Sequence, residues 1–362
     1  MRTMHRKEAV ITTIIPTYRR PRLLERAIRS ALNQSFARLE VCVYDNASGD
    51  ETAGVVAQLS RSDPRVRYHC HPHNIGAVNN FRYGMSQVQT PFFSCLSDDD
   101  LILPWFYESA LEAFDRHPDV MFVAGTTVAI DVKGIPAYVP LREWRPGLYR
   151  PPDGFVAMWE NGHPTWTGIL FRREVIQTVG LPDEKVGLPG DLDFELRIAR
   201  RLPFYVLGKA CALFVTHEAG GSFWQSVQQV LPGYMIMLDR VLNDPGLAPA
   251  LKERVRQAWS RQVRGAMEQV CYYSLRHGAD DEALRAAEVL RKYSGDSFET
   301  RVLLRVVGLS RLGGTAKGLA SIFAHWRWWM TAVLRIIRFR FGRRRRRLYR
   351  SYVWHLTKLS EG

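Results

Sequence analysis

Apolar runs and helically spaced apolar positions alternate along the first hundred residues. Val10 to Ile15 is apolar and β-branched, which predicts a buried strand; Pro16-Thr17-Tyr18 ends it, and Leu23, Leu24, Ala27, Ile28, Ala31 and Leu32 then recur at the spacing of a helix. Leu39 to Tyr44 predicts a second strand. It is closed by Asp45-Asn46-Ala47-Ser48-Gly49-Asp50, a turn-forming stretch in which Asp50 can cap a helix from Glu51 to about Leu59. A strand over Val66 to His69, a helix over about Ala77 to Val88 and a strand over Phe92 to Leu96 continue the alternation. Strands alternating with helices imply a largely parallel sheet covered by helices, a doubly wound α/β fold.

Farther along, Val120 to Ala124, Gly168 to Phe171 and Ala212 to Val215 read as strands, and Arg142 to Pro152 reads as a loop rich in Pro, Arg and aromatic residues. From 226 to 312 the period changes. Val227, Val230, Leu231, Tyr234 and Leu238, then Val255, Trp259 and Val263, recur at three or four residues, with Pro232, Pro245 and Gly278 as breaks, so this segment is expected to be helical.

With 362 residues, 46 % of them hydrophobic and 24 % charged, the chain has ordinary globular composition and room for a deep core plus an appendage. The net charge of +14 is the unusual number. Residues 1–300 hold 35 basic and 35 acidic side chains, whereas 301–362 hold 15 basic ones against Glu361, so the excess belongs to a tail. The five cysteines (Cys42, Cys70, Cys95, Cys211 and Cys271) form no C-x-x-C, which argues against a disulfide framework or a zinc ribbon and fits a reducing cytosol. The first strand begins too early, and Pro16 follows too soon, for a signal peptide; no run of about 18 apolar residues occurs, since Arg327 and Arg335 interrupt Ile322 to Ile337.

In open α/β sheets ligands bind outside the carboxyl ends of the strands, which here points to Thr17 and Tyr18, to Asp45, and to Asp98, Asp99 and Asp100. Neither G-x-x-x-x-G-K-[ST] nor G-x-G-x-x-G follows the first strand, so phosphate must be held by other means. Three successive aspartates have two readings: a solvated acidic turn before the helix that begins near Pro104, or a site for a hard cation such as Mg²⁺ or Mn²⁺ with substrate phosphates. Asp45 is likewise either a turn residue or an acceptor for the ring N–H of uracil, thymine or guanine.

Taken together these residues resemble a known family. Ile14-Ile15-Pro16-Thr17-Tyr18, Tyr44-Asp45-Asn46-Ala47-Ser48-Gly49-Asp50, Asn74-Ile75-Gly76, Leu96-Ser97-Asp98-Asp99-Asp100 with Pro104, Gly168-Ile169-Leu170-Phe171-Arg172-Arg173 leading to Val179-Gly180, and Gly190-Asp191-Leu192-Asp193 with Leu196-Arg197 occur in the order and at about the spacings of the family 2 glycosyltransferases. The resemblance covers roughly residues 8–220. It implies the GT-A fold, a Rossmann-like, mostly parallel sheet, and an inverting enzyme that uses a nucleoside diphosphate sugar; the helical C-terminal extension expected from the apolar spacing lies outside the resemblance. By motif, Pro16, Thr17 and Tyr18 would line the base pocket with Asp45 as acceptor, and Asp98 would touch the ribose. Asn74 and Arg82 would also bind the donor, Asp99, or Asp99 with Asp100, would reach the metal, and Asp191 would be the general base. Counting back from the aspartates puts Phe81 and Arg82 where the family has Arg and Asn, and Ser97 replaces a common first Asp whose part Asp98 covers. His217, after the strand that ends near Val215, is a further candidate metal ligand. His69, His71 and His73 read as loop residues, and Trp144, Trp159 and Trp166 as either sugar-stacking or core residues.

The expected organisation is a transferase domain over 1–220, a helical extension over 221–312 and a basic amphipathic tail over 313–362. In the tail Arg327, Arg335 and Arg338 share one side of a helical wheel, Trp326, Trp329, Met330, Val333, Ile336 and Ile337 take the other, and Arg343 to Arg347 follow. That pattern fits an anionic membrane surface better than nucleic acid, because the aromatic and aliphatic content is high for a solvated arm. The sequence thus predicts a transferase at the inner face of the cell membrane, with a UDP-, dTDP- or GDP-sugar donor, a glycan or lipid-linked acceptor, and no nucleic-acid partner. The rival class is a non-catalytic nucleotide- or carbohydrate-binding protein, or a nucleic-acid binder using the tail.

Overall fold

β1 (Ile11–Thr17) is buried at every position, as a strand covered on both faces must be. α1 (Pro21–Leu32) follows, with Pro21 pre-set for the first turn and Leu24, Ala27, Ile28 and Ala31 turned inward. β2 (Leu39–Asp45), α2 (Thr52–Ser62), β3 (Val66–Cys70), α3 (Ala77–Ser86) and β4 (Phe92–Cys95) complete a unit in which β3, β2, β1 and β4 lie side by side, all parallel. The computed structural model describes residues 8–131, 136–138, 144–216, 226–294, 298–310 and 322.

The second half of the sheet is mixed. β5 (Leu101–Ile102) and α4 (Phe106–Arg116) lead to β6 (Phe122–Asp131), β7 (Pro136–Tyr138) and β8 (Gly147–Tyr149); α5 (Asp153–Asn161) and a 3₁₀ turn (Trp166–Gly168) precede β9 (Ile169–Arg172). α6 (Glu174–Val179), α7 (Gly190–Ala199) and β10 (Phe204–Thr216) close the sheet, whose strand order is β3-β2-β1-β4-β9-β6-β10-β5, with β7 on β6 and β8 on β10. β9 runs antiparallel to both β4 and β6, whereas β6 and β10 are parallel.

Alternate residues of each strand feed two cores. Ile11 and Ile15 pack with Leu24, Ile28, Phe106 and Phe114, while Ile14 faces the other way into a cluster with Tyr44, Phe93, Phe122, Phe171 and Phe194. That second cluster continues into the helices that follow, α8 (Val227–Leu242), α9 (Pro249–His277), α10 (Asp280–Ser294) and α11 (Phe298–Ser310). Val255, Trp259, Val263 and Met267 of α9 belong to the same cluster as Phe155 and Trp159 of α5, and Gln262 Nε2 donates to the Trp159 carbonyl at 2.6 Å. The extension therefore shares a core with the sheet instead of forming a separate body.

Two expectations change in detail. The loop expected over 142–152 contains β8, held by β10, and the short strand expected at 212–215 is the end of β10, which begins at Phe204 and is interrupted by register shifts between Val206 and Ala212. Exposed Gly208 and Lys209 at that irregularity break the apolar run and hide the strand's first half in the sequence. Residues 313–321 and 323–362, with almost all of the basic tail, lie outside the described residues, as does His217.

Candidate active site

The parallel register sets Thr17 level with Asp45 and Ile14 level with Cys95, so the loops leaving β1, β2 and β4 meet at one edge of the sheet. Two of these loops are tied directly: the Arg19 backbone N–H donates to Ser48 Oγ at 2.9 Å, and Arg19 Nε donates to the Ser48 carbonyl at 3.1 Å. Arg19 and Ala47 both have left-handed backbone (φ 56° and 60°), a conformation that costs a residue with a Cβ about 1–2 kcal/mol, and both flank the motif residues.

Asp45 is buried beneath this edge. Its Oδ1 accepts from the Ser48 N–H at 2.9 Å and its Oδ2 from the Tyr68 hydroxyl at 2.6 Å. Burial and the Asp45 carboxylate push the Tyr68 hydroxyl well above its usual range, so it remains a donor. Pro16 pairs with Tyr44 inside the sheet, and Tyr18 stands exposed at the rim. Asn74 Oδ1 accepts from Asn46 Nδ2 and from the Gly76 N–H, each at 2.8 Å, so that carbonyl oxygen holds the loop before α3 against the β2 loop.

The acidic turn separates three residues that look alike in sequence. Asp98 Oδ2 accepts from Thr17 Oγ1 at 2.7 Å, and Arg20 Nη1 reaches both Asp98 Oδ1 (3.1 Å) and Asp99 Oδ2 (2.8 Å). Burial, reinforced by the Asp99 charge, pushes Asp98 up to about 6 even though Arg20 and Thr17 pull against it. Asp100 is 1 % exposed and turned the other way: Thr167 Oγ1 donates to Oδ2 at 2.6 Å and the Val215 N–H to Oδ1 at 2.9 Å. Burial and the neighbouring Asp99 charge raise it too. This departs from the expectation that Asp100 faces a metal, since its oxygens fasten β10 and the 3₁₀ turn to the acidic loop. Asp98 and Asp99 do fit a cation, because both already turn an oxygen toward one shared positive group. Among the described residues no set of three or more His, Cys, Asp or Glu side chains forms a metal cage. A Mg²⁺- or Mn²⁺-type site needs only one or two carboxylates when substrate phosphates complete it.

Arg82 is held by one contact outside the acidic turn. Its Nη1 donates to the Pro182 carbonyl, tethering α3 to the loop that leads into α7, and Phe81 packs edge-on against Trp166 at 5.5 Å. Asp191 lies in the first turn of α7 with its side chain 37 % exposed, and its Oδ1 accepts from the Leu192 N–H at 2.8 Å. His163 stands beside it, and Glu195 one turn farther along α7 is fully buried. Asp193 points elsewhere, into a pairing with Arg197 (2.9 Å) and Arg240 (2.5 Å) that joins α7 to α8. A cavity of about 430 Å³ between α5, α7 and α8 contains Asp193, Arg197, Arg200 and Arg240, and neither Asp191 nor any residue of the acidic turn lines it. Trp159 is a core residue, and Trp144 packs on Tyr149 and Phe204 at 5.0 and 5.6 Å. Arg20, Tyr68, His163 and Glu195 are the site neighbours that sequence reasoning missed; no motif spacing marks them.

The family profile described as Glycosyl transferase family 2 matches residues 12–180. These residues are a family 2 glycosyltransferase domain. The match spans the acidic turn and ends short of Asp191. A GalNAc(5)-diNAcBac-PP-undecaprenol β-1,3-glucosyltransferase from Campylobacter jejuni is 38 % identical over 94 residues, 26 % of this chain and 30 % of that protein. Chondroitin synthase from Escherichia coli is 29 % identical over 126 residues, 34 % and 18 % of the two chains. The chain thus spans about a third or less of these relatives' lengths. S. aureus TarS 1–349, solved with UDP-GlcNAc, superposes with a TM-score of 0.58 at 14 % identity, covering 89 % of this chain and 92 % of that one. The mannosyltransferase PcManGT from Pyrobaculum calidifontis, solved with GDP-Man and Mn²⁺, gives 0.53 at 14 % identity, covering 93 % and 88 %. At such identity these likenesses establish the fold, which is GT-A and extends through the C-terminal helices.

Proposed function

We propose that this chain transfers a sugar from a nucleoside diphosphate donor to a hydroxyl of a glycan or lipid-linked acceptor, with inversion at the anomeric carbon. The observation that carries the reading is the convergence of Asp98 and Asp99 on a single cation, Arg20, at the strand edge where Thr17 and Asp45 also end. In this reading the base lies against Pro16, Thr17 and Tyr18 with its ring N–H directed at Asp45, which favours uracil, thymine or guanine. Asp98 takes the ribose. Asp99, with Asp98, is the ligand set for a divalent ion, which when bound offsets charge on the departing diphosphate.

Asp191 acts on the acceptor. As the hydroxyl oxygen forms its bond to the anomeric carbon, the bond from that carbon to the phosphate oxygen breaks and the electron pair leaves with the nucleoside diphosphate. The hydroxyl proton goes to Asp191, and one displacement inverts the configuration. The tail at 313–362 supports a place at the inner face of the cell membrane, its Arg run beside an apolar Trp-rich stretch. Among the described residues no helix is long and apolar enough to cross a membrane.

Nucleoside diphosphate binding tests the donor half of the reading. UDP, dTDP and GDP are each titrated by thermal shift in Mn²⁺ and in EDTA, because a ligand of the folded state raises the midpoint. At least one should shift the midpoint in Mn²⁺ far more than in EDTA, and Asp99→Asn should remove the difference while the nucleoside still binds. Equal diphosphate affinity in Mn²⁺ and EDTA contradicts the reading.

A further inference from the structure

Asp191 is flanked by a side chain that no motif accounts for. His163 sits between Gly162, whose left-handed backbone (φ 78°) turns the chain at the end of α5, and Pro164, which restricts His163 to extended conformations. The Trp144 indole N–H donates to the Gly162 carbonyl at 3.2 Å and pins that turn. The imidazole therefore enters the site from a fixed stem, its side chain 26 % exposed.

Its two nitrogens face two carboxylates of one helix. Nδ1 is 3.3 Å from Glu195 Oε1, and Nε2 is 3.8 Å from Asp191 Oδ2. Asp191 and Glu195 are four residues apart, which puts them on one face of α7, and the ring spans them. Glu195 is fully buried beside the Trp166 indole N–H, and a buried carboxylate is costly unless a cation lies against it. His163 supplies that cation when both ring nitrogens carry protons. One N–H then points to Glu195 and the other to Asp191. If the ring loses its Nε2 proton, a lone pair faces the Asp191 oxygen and the attraction turns to repulsion.

We propose that His163 is a positioning residue for transfer: anchored by Glu195, its doubly protonated ring holds the Asp191 carboxylate in place for the acceptor hydroxyl. The inference rests on the reading of Asp191 as the base. The surrounding charges agree with it. Burial draws the His163 ring down, but the Asp191 and Glu195 carboxylates outweigh burial and leave it at about 9, while burial raises Glu195. From α8, Tyr234 faces Asp191 and is held up to about 12 by burial and that carboxylate, so it does not titrate near 9. The remaining charged side chain of this turn, Asp193, is turned to Arg197 and Arg240.

The test is the pH profile of kcat on a soluble acceptor in Mg²⁺. Wild type should lose turnover as pH rises through about 9, where His163 gives up its proton. His163→Ala should lower kcat by on the order of 10- to 100-fold with little change in the donor KM, and its profile should lack the alkaline limb. Glu195→Gln is nearly isosteric and removes one of the two charges that hold the ring protonated, so its limb should move to lower pH; it decides the question even if His163→Ala does not fold. Asp191→Asn separates this inference from its premise. If Asp191→Asn keeps near-normal turnover, the base assignment fails and the inference falls with it. If Asp191→Asn collapses while Glu195→Gln retains the wild-type limb, the base stands and the role of His163 is overturned.

Discussion

Replacing Gly233 by Ala puts one methyl where α8 lies on the loop that leads into Asp191. A Cβ there would be 2.7 Å from Pro189 Cγ, 3.1 Å from the Val186 carbonyl carbon and closer still to the Val186 oxygen. Carbon contacts settle near 3.5–4.0 Å, so α8 must retreat by on the order of an ångström. Helix propensity works the other way, since Ala is better than Gly by about 1 kcal/mol inside a helix. Overpacking costs about 1–3 kcal/mol, and the upper half of that range applies because the obstacles are backbone and a proline ring, neither of which can swing aside. The expected net loss is about 1–2 kcal/mol. Gly265 in α9 is the control: a Cβ there meets nothing within 4 Å, so Gly265→Ala should gain up to about 1 kcal/mol from propensity alone. Urea unfolding reads both from the transition midpoints at constant slope. Gly233→Ala should also lower kcat more than donor affinity, because it displaces the Val186–Pro189 segment next to Asp191. A Gly233→Ala protein as stable as Gly265→Ala would refute the packing of the extension against the catalytic half.

Arg20→Met removes the cation that Asp98 and Asp99 now share, so Mn²⁺ binding without nucleotide, followed by calorimetry, should tighten; unchanged Mn²⁺ affinity would show that those carboxylates are not the metal ligands. Nine arginines lie between Arg335 and Arg350, and each near an anionic leaflet contributes about 1 kcal/mol, so the full chain should co-sediment with vesicles containing acidic lipid and release in high salt. Indifference to such vesicles together with tight, salt-sensitive RNA or DNA binding would replace the membrane reading.

What could be read in advance followed from how completely an element is determined by its own residues. β1 and β2 are covered on both faces, so nearly every position in them is buried and their residues are mostly apolar or β-branched, and turn-forming residues such as Asp45-Asn46 mark where they stop. β5 and β8 have two and three residues and exist because β10 pairs with them, a cause the local sequence does not contain. The same division runs through the site. Thr17, Asp45, Asp98 and Asp99 were legible because strand ends of an open sheet gather there. Arg20 reaches Asp98 across 78 residues of chain, and His163 meets Asp191 only because α5 and α7 are neighbours in the fold. Asp100 shows the limit inside a motif: of three identical side chains in a row two converge on Arg20, and only the position of Thr167 and the Val215 amide decides that the third turns inward.

The central claim is tested most directly by following transfer from an α-linked nucleoside diphosphate sugar to a soluble acceptor by NMR, with wild type and Asp191→Asn side by side. The account predicts release of the nucleoside diphosphate, a β-linked product, and turnover lower by about 10²- to 10⁴-fold in the variant, the usual share of a general base. An α-linked product, or an Asp191→Asn protein that turns over at the wild-type rate, would contradict it.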